Sequence, residues 1–209
     1  LWTIEKSTDG SLETETWGEI GDIAVNGDFD GDGKNDRTVF RPSNGRWYII
    51  GSTNGFHYRE FGVNGDIPVP ADYDADGVTD LAIWRPSNAT WYISGSKTGF
   101  RTRQWGATGD VLVPADFDGD GRADLSVWRP SNGTWYIIQS TSNITYTVQW
   151  GQTGDVPVLG DFNRDRRPDY GIFRASTGTW YIRYSSDLSF YSRGFGQDGD
   201  VPVPADFDG

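Results

Sequence analysis

Cysteine is absent from the 209 residues, which excludes disulfides, zinc–thiolate sites and a cysteine nucleophile without naming a compartment. Uninterrupted apolar runs of about 18 residues are missing too, so no membrane-spanning helix and no membrane insertion are expected. No leader segment is visible, because the chain opens inside a repeat at Leu1-Trp2-Thr3-Ile4; a processed, trimmed or partial chain is the matching expectation. Basic residues are scarce: 18 Lys and Arg stand against 30 Asp and Glu, for a formal net charge of −12. Nucleic acid and anionic membrane surfaces both require a basic patch, so neither is expected as a partner. Histidine occurs once, as His57, and is read as an incidental surface residue. Helical period, caps and length coincide in no window.

What the sequence does have is repetition. Gly-Asp pairs begin at Gly21, Gly65, Gly109, Gly154 and Gly199, spaced 44, 44, 45 and 45 residues apart. Trp2, Trp47, Trp91, Trp135 and Trp180 form a second ruler with spacings of 45, 44, 44 and 45. One period from two independent rulers indicates tandem repeats, and a period of about 40–50 points to a solenoid or a propeller. The repeats divide the chain into a partial unit at 1–20, full units at 21–64, 65–108, 109–153 and 154–198, and a partial unit at 199–209.

Within a unit the pattern predicts four strands. In the third these are Val111–Asp116, Leu125–Arg129 stopped by Pro130, Trp135–Ile138 and Tyr146–Trp150. Ser131-Asn132-Gly133 separates the second and third, and Asn-Gly between apolar runs is a strong hairpin signal. Four antiparallel strands per 44 residues define a propeller blade, so the expected fold is an all-β propeller forming one domain. Blade sheets pack on both faces, and the recurring Trp, Tyr and Phe are read first as inter-blade core and second as ligand platforms. One blade is split between the termini and lacks 14 residues, the equivalents of Asp120–Gly133. Five blades, or a window of a longer array, are the two expectations, and the sequence is expected to be incomplete.

Between the first and second strands runs Asp-x-Asp-x-Asp-Gly-x-x-Asp. The copies are Asp28, Asp30, Asp32, Gly33 and Asp36; Asp72, Asp74, Asp76, Gly77 and Asp80; and Asp116, Asp118, Asp120, Gly121 and Asp124. Alternating carboxylates in a tight loop converge their oxygens, and the charges repel unless a cation neutralises them. Calcium, with its six to eight oxygen ligands and flexible geometry, suits such a loop. An EF-hand is excluded, since its twelfth position is a bidentate Glu and here it is Val39, Ile83, Val127 or Ile172 inside a predicted strand. Asp turns also occur without metal, but three intact copies at one period argue against that reading. Between locking the hairpin and meeting a ligand, the metal is expected first of all to be structural.

The units also carry Trp/Phe-Gly (Trp17-Gly18, Phe61-Gly62, Trp105-Gly106, Trp150-Gly151, Phe195-Gly196), and the first three full units an aromatic-Arg-Pro (Arg41-Pro42, Arg85-Pro86, Arg129-Pro130). Together with the Asp loops, these resemble the FG-GAP repeat of integrin α-chain propellers and of bacterial VCBS proteins. The resemblance implies a calcium-binding propeller in which the first, third, fifth and ninth Asp give side-chain ligands. It further implies that Lys34, Val78 and Arg122 give backbone oxygens. The fourth copy departs from this: Asp161, Asn163, Asp165 and Asp169 with Arg166 at the glycine position are expected to bind weakly or not at all, an arginine substituting for the ion. A fifth copy stops at Asp206-Phe207-Asp208-Gly209. The loops hold 17 of the 30 acidic residues, so three calcium ions would take −12 to −6.

Asp22, Asp66, Asp110, Asp155 and Asp200 are read as turn caps, with ion pairs to Arg41, Arg85, Arg129 and Arg174 as the second choice. No nucleophile, base and orienting third group assemble, so an enzyme is not expected. The resemblance implies an extracellular or cell-surface adhesion or lectin-like module with a carbohydrate or protein ligand. The alternative is a non-catalytic scaffold within a larger secreted polypeptide or assembly.

Overall fold

A computed structural model describes residues 2–5 and 9–203; the fifth loop, with Asp206 and Asp208, lies outside the described residues. Four sheets of four antiparallel strands and one two-stranded sheet make up the chain, arranged as a β-propeller. The two-stranded sheet is β1 (Trp2–Glu5) with β2 (Leu12–Glu15). Blade 1 holds β3 (Ile23–Val25), β4 (Arg37–Arg41), β5 (Arg46–Gly51) and β6 (Gly55–Glu60). Blade 2 holds β7 (Ile67–Pro68), β8 (Leu81–Arg85), β9 (Thr90–Gly95) and β10 (Gly99–Gln104). Blade 3 holds β11 (Val111–Leu112), β12 (Leu125–Arg129), β13 (Thr134–Ile138) and β14 (Thr145–Gln149). Blade 4 holds β15 (Val156–Gly160), β16 (Asp169–Arg174), β17 (Thr179–Arg183) and β18 (Phe190–Gly194). No α-helix occurs among the described residues.

The innermost strand is shorter than the sequence pattern predicts. Instead of Val111–Asp116, β11 covers two residues, followed by an isolated bridge between Ala115 and Asp124. The ladder bonds continue past the gap, the Val113 N–H donating to the Ser126 carbonyl (3.0 Å) and the Asp124 N–H to the Ala115 carbonyl (2.9 Å), so Pro114 stands at a non-hydrogen-bonded position where its missing N–H costs no bond to β12. In blade 4 Leu159 stands at that position and β15 runs for five residues, whereas in blade 1 Asn26 stands there and β3 ends at Val25.

The core lies between blades. Trp47, Trp91 and Trp135, one per third strand, are fully buried. Trp135 packs with Val113, Phe117 and Ile137 of its own blade and with Tyr170 and Ile172 of the next. Phe117 and Tyr170 stack at 5.4 Å across that boundary. Val127 of blade 3 likewise joins the cluster around Trp84 and Trp91, and Ile83 of blade 2 joins that around Trp47. Each third-strand indole donates to the carbonyl of a Trp/Phe-Gly residue: Trp47 to Phe61 (2.8 Å), Trp91 to Trp105 (3.1 Å) and Trp135 to Trp150 (3.1 Å). Trp2 makes the same bond to Trp17, which marks β1 and β2 as third and fourth strands of a blade. The buried indoles therefore satisfy their one polar group while providing most of the apolar contact.

The hairpin glycine is required by a close approach. Gly133 sits at φ +62°, and a Cβ there would lie 2.2 Å from the Gly151 carbonyl oxygen.

Candidate metal centres

In an antiparallel four-stranded blade the first-to-second and third-to-fourth connections share one end, so each Asp loop faces the turn after the third strand. The first Asp organises its own loop. Asp28 accepts from the N–H groups of Gly31 (2.6 Å), Asp32 (3.2 Å) and Gly33 (2.7 Å), and Asp72 and Asp116 do the same in their loops. The third Asp is held by the facing turn: Asp74 Oδ2 accepts from the N–H of Lys97 (2.9 Å) and of Thr98 (2.8 Å). The fifth accepts a serine hydroxyl, Ser96 to Asp76 at 2.6 Å. The ninth spans loop and turn: Asp124 accepts from the N–H of Phe117 (3.0 Å) and of Ser140 (2.8 Å).

Three groups of carboxylates result. Asp28, Asp30 and Asp32, then Asp72, Asp74 and Asp80, then Asp116, Asp118 and Asp124 each place ligand atoms within 4.8 Å of one another. Asp36, Asp76 and Asp120 fall outside these groups; Lys34, Val78 and Arg122 donate their N–H to the fifth Asp at 3.0, 2.9 and 2.8 Å. Two oxygens decide whether a cation fits. Asp30 Oδ1 and Asp74 Oδ1 are buried with no hydrogen-bond partner. A buried carboxylate oxygen left unpaired is costly, and these belong to groups built wholly of hard oxygen donors. The residues present fit a divalent metal ion. Burial pushes the carboxyl of Asp80 up, and that of Asp124 to about 7, with the charges of Asp118 and Asp116 adding to the second.

The fourth loop keeps the backbone course but not the carboxylates. Arg164 and Arg166 take φ +65° and +68°, matching Gly119 and Gly121 at +78° and +87°, so the turn persists without glycine. Asn163 Nδ2 donates to Asp165 Oδ2 at 2.9 Å, an internal donor where the other loops present an acid. Asp161, Asp165 and Asp169 form no such group among the described residues.

Adjacent loops are joined, which the sequence reading missed. The Thr79 N–H donates to the Asp28 carbonyl (2.6 Å), its hydroxyl accepts from the Asp28 N–H (3.0 Å), and the Ala123 N–H donates to the Asp72 carbonyl (2.7 Å). The fourth loop has Pro168 at that eighth position and cannot make the bond. Arg167 lies there instead, its Nε 3.0 Å from where a Cβ on Gly119 would be.

At the opposite end of each blade the Asp after Gly does both things expected of it. Asp110 caps its turn by accepting from the Ala107 N–H (2.8 Å) and pairs with Arg129 through Nε and Nη2 (2.8 Å each). Asp22–Arg41, Asp66–Arg85 and Asp155–Arg174 repeat this. Each guanidinium stacks over a tyrosine, Tyr48, Tyr92, Tyr136 or Tyr181, at 4.3–4.5 Å. The tyrosine's part had a readable signal, its own 44- to 45-residue spacing. Asp110→Ala strips a buried acceptor from three N–H donors and is expected to cost about 2–3 kcal/mol in urea unfolding. His57 lies half-buried on β6 and belongs to none of the three carboxylate groups.

The repeats belong to the FG-GAP-like repeat family, whose sequence model matches residues 72–127 and 116–172. No curated protein matches the chain. Among solved structures, it is similar to a lectin from Agrocybe aegerita described for recognition of non-reducing terminal N-acetylglucosamine. That pair shares 15% identity with a TM-score of 0.57, covering 88% of this chain and 52% of the lectin. It is also similar to the BBS1N chain of a complex with ARL6DN, at 16% identity and TM-score 0.52, covering 87% of this chain and 59% of that one. The chain thus spans a little over half the length of these structures, and the likeness is one of fold.

Proposed function

We propose that the chain is a calcium-stabilised, non-catalytic propeller that works outside the cell or at its surface as a carbohydrate-binding module. The observation that carries the metal half is the pair of unpartnered buried oxygens, Asp30 Oδ1 and Asp74 Oδ1, inside groups of converging carboxylates. Loops one to three would hold the ions. Bound calcium would neutralise the clustered charge and tie each Asp loop to the turn after the third strand. Extracellular calcium would keep such sites filled, which favours that location.

The binding half rests on the repeated aromatic, arginine and tyrosine positions at the blade boundaries, and on the fold shared with a sugar-binding lectin. Its test is a glycan array probed with calcium-loaded chain and again after chelation. Binding to one class of neutral glycan, lost on chelation, is the expected result. Silence across the array would overturn the carbohydrate reading and leave a protein-binding or scaffold module.

A further inference from the structure

The blade boundaries are not equivalent. On the face opposite the Asp loops, each boundary sets the Trp/Phe-Gly aromatic of one unit beside the arginine and tyrosine of the next. At three of them a phenylalanine from the next blade's outer strand covers that aromatic. Phe56 meets Trp17 at 5.6 Å, Phe100 meets Phe61 at 6.3 Å and Phe190 meets Trp150 at 5.4 Å between ring centroids. Register fixes the fourth equivalent: Phe56 pairs with Ile50, Phe100 with Ser94 and Phe190 with Arg183, and Thr145 pairs with Ile138 in the same place. Thr145 thus brings no ring to Trp105, between blades 2 and 3, which packs on the cluster around Trp84 and Trp91 and donates to the Tyr136 carbonyl (3.4 Å). The cleft over it measures about 410 Å³, against about 200 Å³ where Phe56 is part of the wall.

We infer that the Trp105 cleft, uncovered by Thr145, is the binding site for a neutral saccharide. Its walls are Gln104, Trp105, Gly106, Arg129 and Tyr136. Arg129 brings no net charge, since Asp110 is paired with it through Nε and Nη2. Gln104, whose Nε2 donates to the Asn88 carbonyl (3.2 Å), and Arg129 set polar groups at the rim of an aromatic platform. A pyranose offers the matching chemistry: an apolar C–H face for the indole, and hydroxyls that both accept and donate. An anion would find no uncompensated positive charge there. The volume has room for a mono- or disaccharide.

The inference rests on the carbohydrate reading above, and the test separates the two. Calcium-loaded chain is titrated with neutral hexoses, N-acetylhexosamines and their disaccharides, followed by tryptophan fluorescence and saturation-transfer NMR. Thr145→Phe copies the three sister blades, so it should fold with an unchanged melting temperature. It should weaken the bound sugar by about tenfold or more, and Trp105→Ala should do the same. Affinity in Thr145→Phe within about twofold of the parent would overturn this site while leaving the carbohydrate reading intact. Silence of the whole panel would overturn both.

Discussion

Chelating calcium is expected to lower the melting temperature by about 15–30 °C. An ion held at about 100 times its dissociation constant adds ~2.7 kcal/mol to the native state, so three add ~8 kcal/mol. For a chain of this size each kcal/mol moves the transition by about 2–4 °C. The loops explain why the loss should spread beyond the sites. Thr79 binds the backbone of Asp28, and Ala123 that of Asp72, so a loop loosened by its own repulsion also loosens the contact with the next blade. Scanning calorimetry in millimolar calcium and then in excess chelator measures the shift. A change below about 5 °C would mean that the loops hold their shape as hydrogen-bonded turns alone.

Trp135→Ala should cost about 3–5 kcal/mol, the range for deleting a fully buried aromatic. Trp135 is 0% exposed and meets Tyr170 of the next blade at 5.6 Å, so the cavity opens at a blade boundary. The indole bond to the Trp150 carbonyl goes as well. Trp135→Phe keeps most of the ring contact and should lose about 1–2 kcal/mol. Trp105→Ala, at a half-buried ring, should fall in that lower range too. Urea unfolding of the three variants orders them; equal losses from Trp135→Ala and Trp105→Ala would contradict the inter-blade core assigned here.

The fold was legible because its signals repeat. The Gly-Asp and Trp rulers give the blade period, and strands such as Leu125–Arg129 come out with the bounds the pattern predicts. Where the reading fell short, the cause lies in contacts that sequence spacing does not carry. The division of β11 into a two-residue strand and a bridge at Ala115 is a local departure that the apolar pattern of Val111–Asp116 does not mark. Asp110 had been divided between capping and pairing, but a carboxylate has two oxygens and does both. Arg166 at a glycine position entered the expectation of weak binding, yet the backbone takes φ +68° and closes the turn, so the loop differs in its side chains rather than in its course. The loop-to-loop bonds of Thr79 and Ala123 join residues from different repeats, beyond the reach of any pattern within one repeat. The difference at the Trp105 boundary was hidden for another reason: Thr145 is unremarkable alone and informative only beside Phe56, Phe100 and Phe190 in register.

Isothermal calorimetry with calcium on chelator-stripped chain tests the central claim, that the recurring Asp loops are metal sites. The expected result is about three sites from the carboxylate groups at Asp28, Asp72 and Asp116, with the Asn163–Arg166 loop silent. Asp74→Asn should then remove one of them. No heat of binding, or four sites of equal affinity, would contradict the account.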